Sequence, residues 1–501
     1  MKQPSLISNQ VLEIGTRLKV APSELLVNAV FARELNHQAH LFDMMGLVDI
    51  AHTLAAIESE IIPIQQGQTL LAALLTLQNK PEDFISAAML GDLYTNREAW
   101  LAKQTQASDW LGAGRARREA TTSAFVLTMR LLVLELMDVV MAFIRILIEQ
   151  SDHHKQAVMP DYTYLQAAQP TTFGHYLLGF AYPLLRDLER FELLLRHLDS
   201  SPMGCGSTNG SRLTQNRLQL AELLGFSTLV SHARDAMWQA DVFIDCTSIL
   251  TNCSITLSRL AEDLQVFSTQ EFALVELNDQ HARASKIMPQ KKNPFALTHI
   301  RGVANKMLGV MTSVTAVSRT PSGQPDNRLL IYGELPEALQ MVKEACALMR
   351  EVLQNLHFNT ARGKALIDSG WVLATDLAEM LVLEGGLDFR SAHHVVATLA
   401  SEYQGKSILA LDLETLLQVG ESLLGQRISL TAEQLKAALD VQQGLEARTE
   451  PGGTATRCMD DMIAECKQLL SGFTSRTDAL KIQFAKKQQD LLLRALEKVH
   501  A

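Results

Sequence analysis

Apolar residues recur every three to four positions along most of this chain, and strict alternation is rare. A repeat near 3.6 residues is the mark of amphipathic helices. It predicts helices at Pro22–Leu35, Leu47–Ile61, Thr69–Leu77, Arg118–Glu149, Thr172–Leu198, Ser211–Leu224 and Ala236–Leu264. Further helices are expected at Pro294–Val317, Tyr332–Leu356, Ala374–Glu384, Phe389–Tyr403, Leu411–Val419, Ala432–Leu439, Gly453–Leu470 and Asp478–Lys498. Several are long, without heptads, and their apolar faces are wider than a coiled-coil seam. Such rods bury themselves against one another, so the expected fold class is all-α, built around a long central helix bundle.

The most apolar stretch, Phe125–Ile148, carries Arg130, Glu135, Asp138 and Arg145. Four charges within one span do not suit a bilayer, so the stretch is expected at the centre of the bundle. Breakers gather at Gly112–Gly114, at Ser201-Pro-Met-Gly-Cys-Gly-Ser-Thr-Asn-Gly210, at Pro321-Ser-Gly-Gln-Pro325 and at Gly385-Gly386. They divide the chain into an N-terminal helical domain (1–112), a central long-helix bundle (113–361) and a C-terminal helical domain (362–501).

Composition narrows the function. The chain has 501 residues, 47% hydrophobic and 20% charged, with a net charge of −10. Bulk disorder is excluded by that balance, and no global basic surface draws in nucleic acid. The six cysteines form no Cys-x-x-Cys pair, and residues 1–17 hold no apolar core of a signal peptide. Reduced thiols in a cytoplasmic protein are therefore expected. No metal-binding, nucleotide-binding or nucleophile-elbow motif is present.

Three strings carry chemistry. Ser285-Lys-Ile-Met-Pro-Gln-Lys-Lys-Asn-Pro294 offers a hydroxyl and lysines just before a helix start. Free N–H groups and ammonium charge there suit a carboxylate, and the dianion formed when carbon beside it loses a proton. Thr163-Tyr-Leu-Gln166 crowds hydroxyls and an amide ahead of the next helix, as an anion site or as a cap. Gly114-Arg-Ala-Arg-Arg-Glu119 supplies guanidinium forks that grip carboxylates, although surface arginines are common. Read singly, each string is also what an ordinary helix cap looks like.

Together the strings resemble argininosuccinate lyase, within the aspartase/fumarase superfamily. Ala284–Pro294 matches the family's Gly-Ser-Ser-x-Met-Pro-Gln-Lys-x-Asn-Pro, and Thr163–Pro170 matches Thr-His-Leu-Gln-x-Ala-Gln-Pro. Ala374–Ala378, Phe389–His393 and Pro451–Ala455 match the C-terminal part. The resemblance implies three helical domains and a homotetramer whose active sites are each shared between subunits. It implies a small carboxylate substrate and β-elimination that usually releases fumarate, with no metal or organic cofactor. Ser285 falls on the catalytic base, and Thr163, Lys291 and Asn293 fall on substrate ligands; Gln166, Arg115, Arg118 and Tyr94 join them as candidates.

The departures have a direction. Tyr164 stands at the family's second catalytic histidine, and Tyr94 at another histidine. Arg118 replaces an asparagine, Lys286 a serine and Ala116 a serine. Asp326 aligns with a tyrosine that holds the arginine part of argininosuccinate. Phenols titrate far above imidazoles, and the two new cations alter the charge of the site. The sequence thus predicts a carbon–nitrogen lyase with specificity moved away from argininosuccinate. A genuine argininosuccinate lyase and a catalytically silent homologue remain the alternatives.

Overall fold

The computed structural model describes residues 10–213, 215–320 and 329–501. The breaker stretch Pro321–Pro325 and Asp326 lie outside them. Helices dominate the described residues, joined by four two-stranded ribbons.

Five rods make the centre: Arg117–His153, Ala181–Leu198, Asp241–Phe267, Phe295–Ser318 and Ile331–Gln354. The first has 37 residues, which at 1.5 Å per residue makes a rod of about 55 Å. Its charges are handled individually. Arg130 is stacked between Phe226 and Phe484 and pairs with Asp199 at 3.2 Å. Glu135 meets Lys343 at 2.8 Å, and Asp138 meets Lys481. Arg130, Glu135 and Asp138 are tolerated in this apolar helix because each has a partner, and Arg145 because it is exposed.

One apolar core joins this bundle to the N-terminal helices Phe42–Glu58 and Ile64–Asn79. The helical run Glu24–Glu58 is long and apolar enough to cross a membrane, and 83% of its most apolar window is buried in the fold. A second core, built from residues between 367 and 445 together with Val158, fills the C-terminal lobe. The last helix returns to the first core through Phe473, Phe484 and Leu491.

Several elements differ from the sequence expectation. Gly453–Leu470 and Asp478–Lys498 are parts of one rod, Thr456–His500. The polar stretch between them stays helical because Phe473 and Thr477 are buried and Arg476 pairs with Glu192. Tertiary packing overrides the weak local pattern there. The expected Thr172–Leu198 helix breaks at Gly179-Phe180. Ser211–Leu224 shortens to Arg217–Leu223, started by Asn216, whose side chain accepts from Leu218 and Gln219. Leu93–Gln104 is an additional helix, capped by Asp92.

The largest omission is a β-hairpin. Val158–Thr163 pairs antiparallel with Gln166–Thr172, from Val158↔Thr172 to Thr163↔Gln166. Its base is clamped by the C-terminal lobe. Gly363 approaches so closely that an added Cβ would lie 2.2 Å from the Val158 carbonyl oxygen. Phe173 stacks on Phe358 at 4.4 Å, and His175 Nε2 donates to the Gly452 carbonyl at 2.9 Å. Gly363→Ala should therefore force the hairpin base apart and destabilise the protein by roughly 1–3 kcal/mol. Thermal unfolding followed by circular dichroism reads this as a lowered Tm; an unchanged Tm would show the contact to be slack.

Candidate active site

Ser285 opens a loop closed at its base by a short ladder, Arg283↔Asn293 and Ala284↔Lys292. Ser285 N–H donates to the Lys291 carbonyl at 3.2 Å, and Asn293 Nδ2 donates to the Arg283 carbonyl at 2.8 Å. The Ser285 hydroxyl oxygen accepts from the Met288 N–H at 3.0 Å and the Ile287 N–H at 3.4 Å. Donors aimed at an oxygen favour its negative form. Lys292 is paired with Asp279 at 2.7 Å and Glu276 at 3.2 Å. Lys286 and Lys291 are exposed and have no carboxylate within ion-pair distance among the described residues. Asn293 lies just ahead of the helix Phe295–Ser318, so the loop ends at that helix's free N–H groups.

Thr163, Tyr164 and Gln166 occupy the hairpin tip, and all three are exposed. Tyr164 is 98% exposed and Leu165 is 61% exposed. Both have positive φ, 55° and 57°. A two-residue hairpin turn with positive φ at both positions favours Asn and Gly, and Tyr-Leu adopts it at a cost. The tip is thus a strained, solvent-facing phenol beside a hydroxyl and an amide.

The third string is mostly internal. Asp49 lies between Arg97 and Arg115, at 2.9 Å from each, and all three side chains are at most 1% exposed. The Arg115 guanidinium covers the Tyr94 ring at 5.3 Å. Burial pushes the Tyr94 phenol up to about 12. Tyr94 and Arg115 therefore sit together, both buried, in what we call the N-terminal wall. Nearby, burial raises the Glu98 and Glu119 carboxyls to about 7, and burial followed by Arg115 lowers His52 well below its usual range. Glu119 accepts from the Gly204 N–H and so ties the start of the first long helix to the glycine-rich loop. Arg118 is half-buried, with Nη1 at 3.6 Å from Glu34 Oε1. Arg117 Nε lies 3.2 Å from Asp92.

The C-terminal strings serve the scaffold. Arg448 grips Asp376 with both terminal nitrogens, at 2.9 and 3.1 Å. Thr454 donates to the Leu445 carbonyl at 3.0 Å. Asp49, Glu98 and Glu119 were not singled out in the sequence. Asp49 and His52, one turn apart on the otherwise apolar helix Phe42–Glu58, were the available signal.

A lyase family model matches residues 50–309, more than half of the chain, and an argininosuccinate lyase C-terminal model matches residues 371–446. The chain belongs to the lyase family. It is an argininosuccinate lyase-like carbon–nitrogen lyase of the aspartase/fumarase superfamily. The lyase is 32% identical over 432 residues to argininosuccinate lyase of Methanothrix thermoacetophila, covering 86% of this chain and 88% of that protein. Against the Methanococcoides burtonii argininosuccinate lyase the identity is 28% over 473 residues, covering 93% and 94%. An EDDS lyase in complex with formate superposes with a TM-score of 0.86 at 22% identity, covering 100% of this chain and 97% of that one. A class II fumarase from Schistosoma mansoni gives 0.68 at 12% identity, covering 88% and 95%. Those two likenesses establish the three-domain helical fold.

The buried carboxyls make the lyase sensitive to pH. Glu119 binds its proton more tightly folded than unfolded, so its contribution to stability is present below pH 4.5 and is lost as pH rises through about 7. Glu119→Gln keeps an oxygen for Gly204 and removes the titration. The variant's Tm relative to the parent should be higher at pH 8 than at pH 5. A Tm difference that does not change with pH would refute this account of Glu119.

Proposed function

We propose that this lyase eliminates an amine from an N-substituted aspartate and releases fumarate, with specificity moved away from argininosuccinate. The observation that carries the proposal is the Ser285 hydroxyl oxygen, which accepts two backbone N–H groups on a loop holding two lysines without a carboxylate partner among the described residues. A serine is a useful base only if its alkoxide is stabilised, and N–H donors plus ammonium charge do that.

In this reading Ser285 removes the proton from carbon beside one carboxylate. Lys291, Asn293 and the helix start hold that carboxylate as charge builds on it. Thr163 and Gln166 hold the other carboxylate, and Tyr164 protonates the departing nitrogen. Arg118 lines the N-terminal wall, while Arg115 and Tyr94 act beneath it by fixing the segment that leads into the helix carrying Arg118. An EDDS lyase variant of the same fold was solved with bound fumarate, the product proposed here.

Assembly is part of the reading. Tyr164 and Ile287, at 98% and 85% exposure, are apolar or aromatic groups left in solvent by a single chain. We propose a homotetramer in which the hairpin tip, the Ser285 loop and the N-terminal wall of different subunits meet around one ligand.

The test is fumarate release, read by the absorbance of the new conjugated double bond, across N-substituted aspartates with argininosuccinate among them. Ser285→Ala should lower turnover by about 10²–10⁴-fold or more while light scattering still shows the assembly. Turnover that survives the substitution would remove Ser285 as the base. Faster release from argininosuccinate than from every other substrate would overturn the altered specificity.

A further inference from the structure

The hairpin tip and the Ser285 loop are each fixed from the base, and one turn of helix reaches both bases. Asn359 caps the helix Thr360–Ser369 by accepting the Arg362 N–H at 3.0 Å. Its own N–H donates to the Leu274 carbonyl at 2.8 Å, beside the short ladder Val275↔Phe358 and Glu276↔His357. Arg362 reaches the turn that follows the rod Asp241–Phe267. Its Nε donates to the Phe272 carbonyl at 2.9 Å, and its Nη2 donates to the Glu271 carbonyl at 2.7 Å. The next residue, Gly363, abuts the Val158 carbonyl at the hairpin base.

The turn held by Arg362 is strained. Ala273 has a φ of 50°, in the left-handed region that costs a residue with a Cβ roughly 1–2 kcal/mol. Such a conformation persists where its surroundings impose it. A planar guanidinium on two successive carbonyls fixes both peptide planes at once, which the point charge of a lysine does not.

Phe272 carries this order to the hairpin. Its ring meets Tyr162 edge-on at 5.2 Å, and Phe267 lies 5.9 Å from the same ring. Tyr162 directly precedes Thr163. Burial pushes the Tyr162 phenol up and the Arg362 guanidinium opposes that push, so Arg362 acts on this strand as well. In the other direction the chain runs from Leu274 through Val275 and Glu276 towards the Ser285 loop, where Glu276 is one of the two carboxylates on Lys292.

We propose that Arg362 is a positioning residue for the elimination, whose grip on residues 271 and 272 sets the hairpin tip and the Ser285 loop together. Arg362 touches no substrate in this assignment. The assignment rests on the elimination reading above, which gives the two segments their roles. A shift of the turn displaces both, and a misplacement of roughly 1 Å costs an active site about 10²-fold.

The test compares the assembled full-length enzyme with Arg362→Met, Arg362→Lys and Phe272→Leu. Fumarate binding is measured by calorimetry and amide hydrogen exchange by mass spectrometry, both well below each variant's Tm. Arg362→Met should weaken fumarate binding about tenfold or more while light scattering still shows the assembly. Exchange should quicken in both ladders, 158–172 and 283–293. Arg362→Lys, which keeps the charge without the fork, should fall between the parent and Arg362→Met in both readouts. Phe272→Leu should quicken exchange in the hairpin alone. A role confined to stability would lower Tm and leave the folded enzyme's fumarate affinity and both ladders unchanged. That result, or faster exchange confined to 268–275, overturns the assignment while leaving elimination intact. If Arg362→Met does not assemble, an Arg362→Lys enzyme indistinguishable from the parent overturns it equally. A parent enzyme that binds no fumarate removes the elimination reading, and the assignment with it.

Discussion

A hydroxyl surrenders its proton near neutral pH only where its negative charge has somewhere to rest. That constraint organises the Ser285 loop. The oxygen accepts two N–H groups supplied by its own loop, and two ammoniums on that loop have no carboxylate partner among the described residues. Had Asp279 and Glu276 reached Lys291 instead of Lys292, the field at Ser285 would be largely cancelled. The ladder Ala284↔Lys292 fixes which lysine is spent on the base of the loop and which remain for a ligand. Local backbone pairing therefore sets the electrostatics of the site.

The N-terminal wall meets the same constraint from the opposite side. Two guanidiniums, Arg97 and Arg115, are taken fully out of water, which is tolerable only because Asp49 bridges them. Arg115 thereby becomes an internal brace just ahead of the helix that carries Arg118. Tyr94 is the floor of that brace, with its phenol held neutral by burial. The nearby Glu98 and Glu119 carboxyls, both raised toward neutrality, leave the brace's net charge dependent on pH.

Much of the fold was legible because long apolar periodicities admit few arrangements, and the five central rods lie close to where the pattern puts them. The hairpin was not legible. Its strands contain Pro160 and Pro170, its turn is Tyr-Leu instead of Asn-Gly, and its register is broken by a bulge between Pro160 and Tyr162. The contacts that impose it come from Gly363 and Gly452, nearly two hundred residues or more further along the chain. For the site, residue types were legible in the sequence but their burial was not. Arginines at 115 and 118 look alike in a string; only the fold shows that Asp49 claims one while the other stays half-exposed.

The hairpin tip links these points to assembly. Two non-glycine residues with positive φ cost roughly 1–2 kcal/mol each, and such strain persists only when surroundings impose it. The strands and their clamps explain why the turn is tight. They do not explain why Tyr and Leu occupy it, since Asn-Gly would relieve the strain and expose less apolar surface. In the proposed assembly, Tyr164 makes its contribution outside its own subunit. The proposed tetramer gives this strained, 98% exposed side chain a neighbouring subunit's ligand to act on. The strain at the tip and the unpaired charge on the Ser285 loop are then two halves of one arrangement. Each is unfavourable in the isolated chain, and in the proposed tetramer each is offset when subunits close around the substrate.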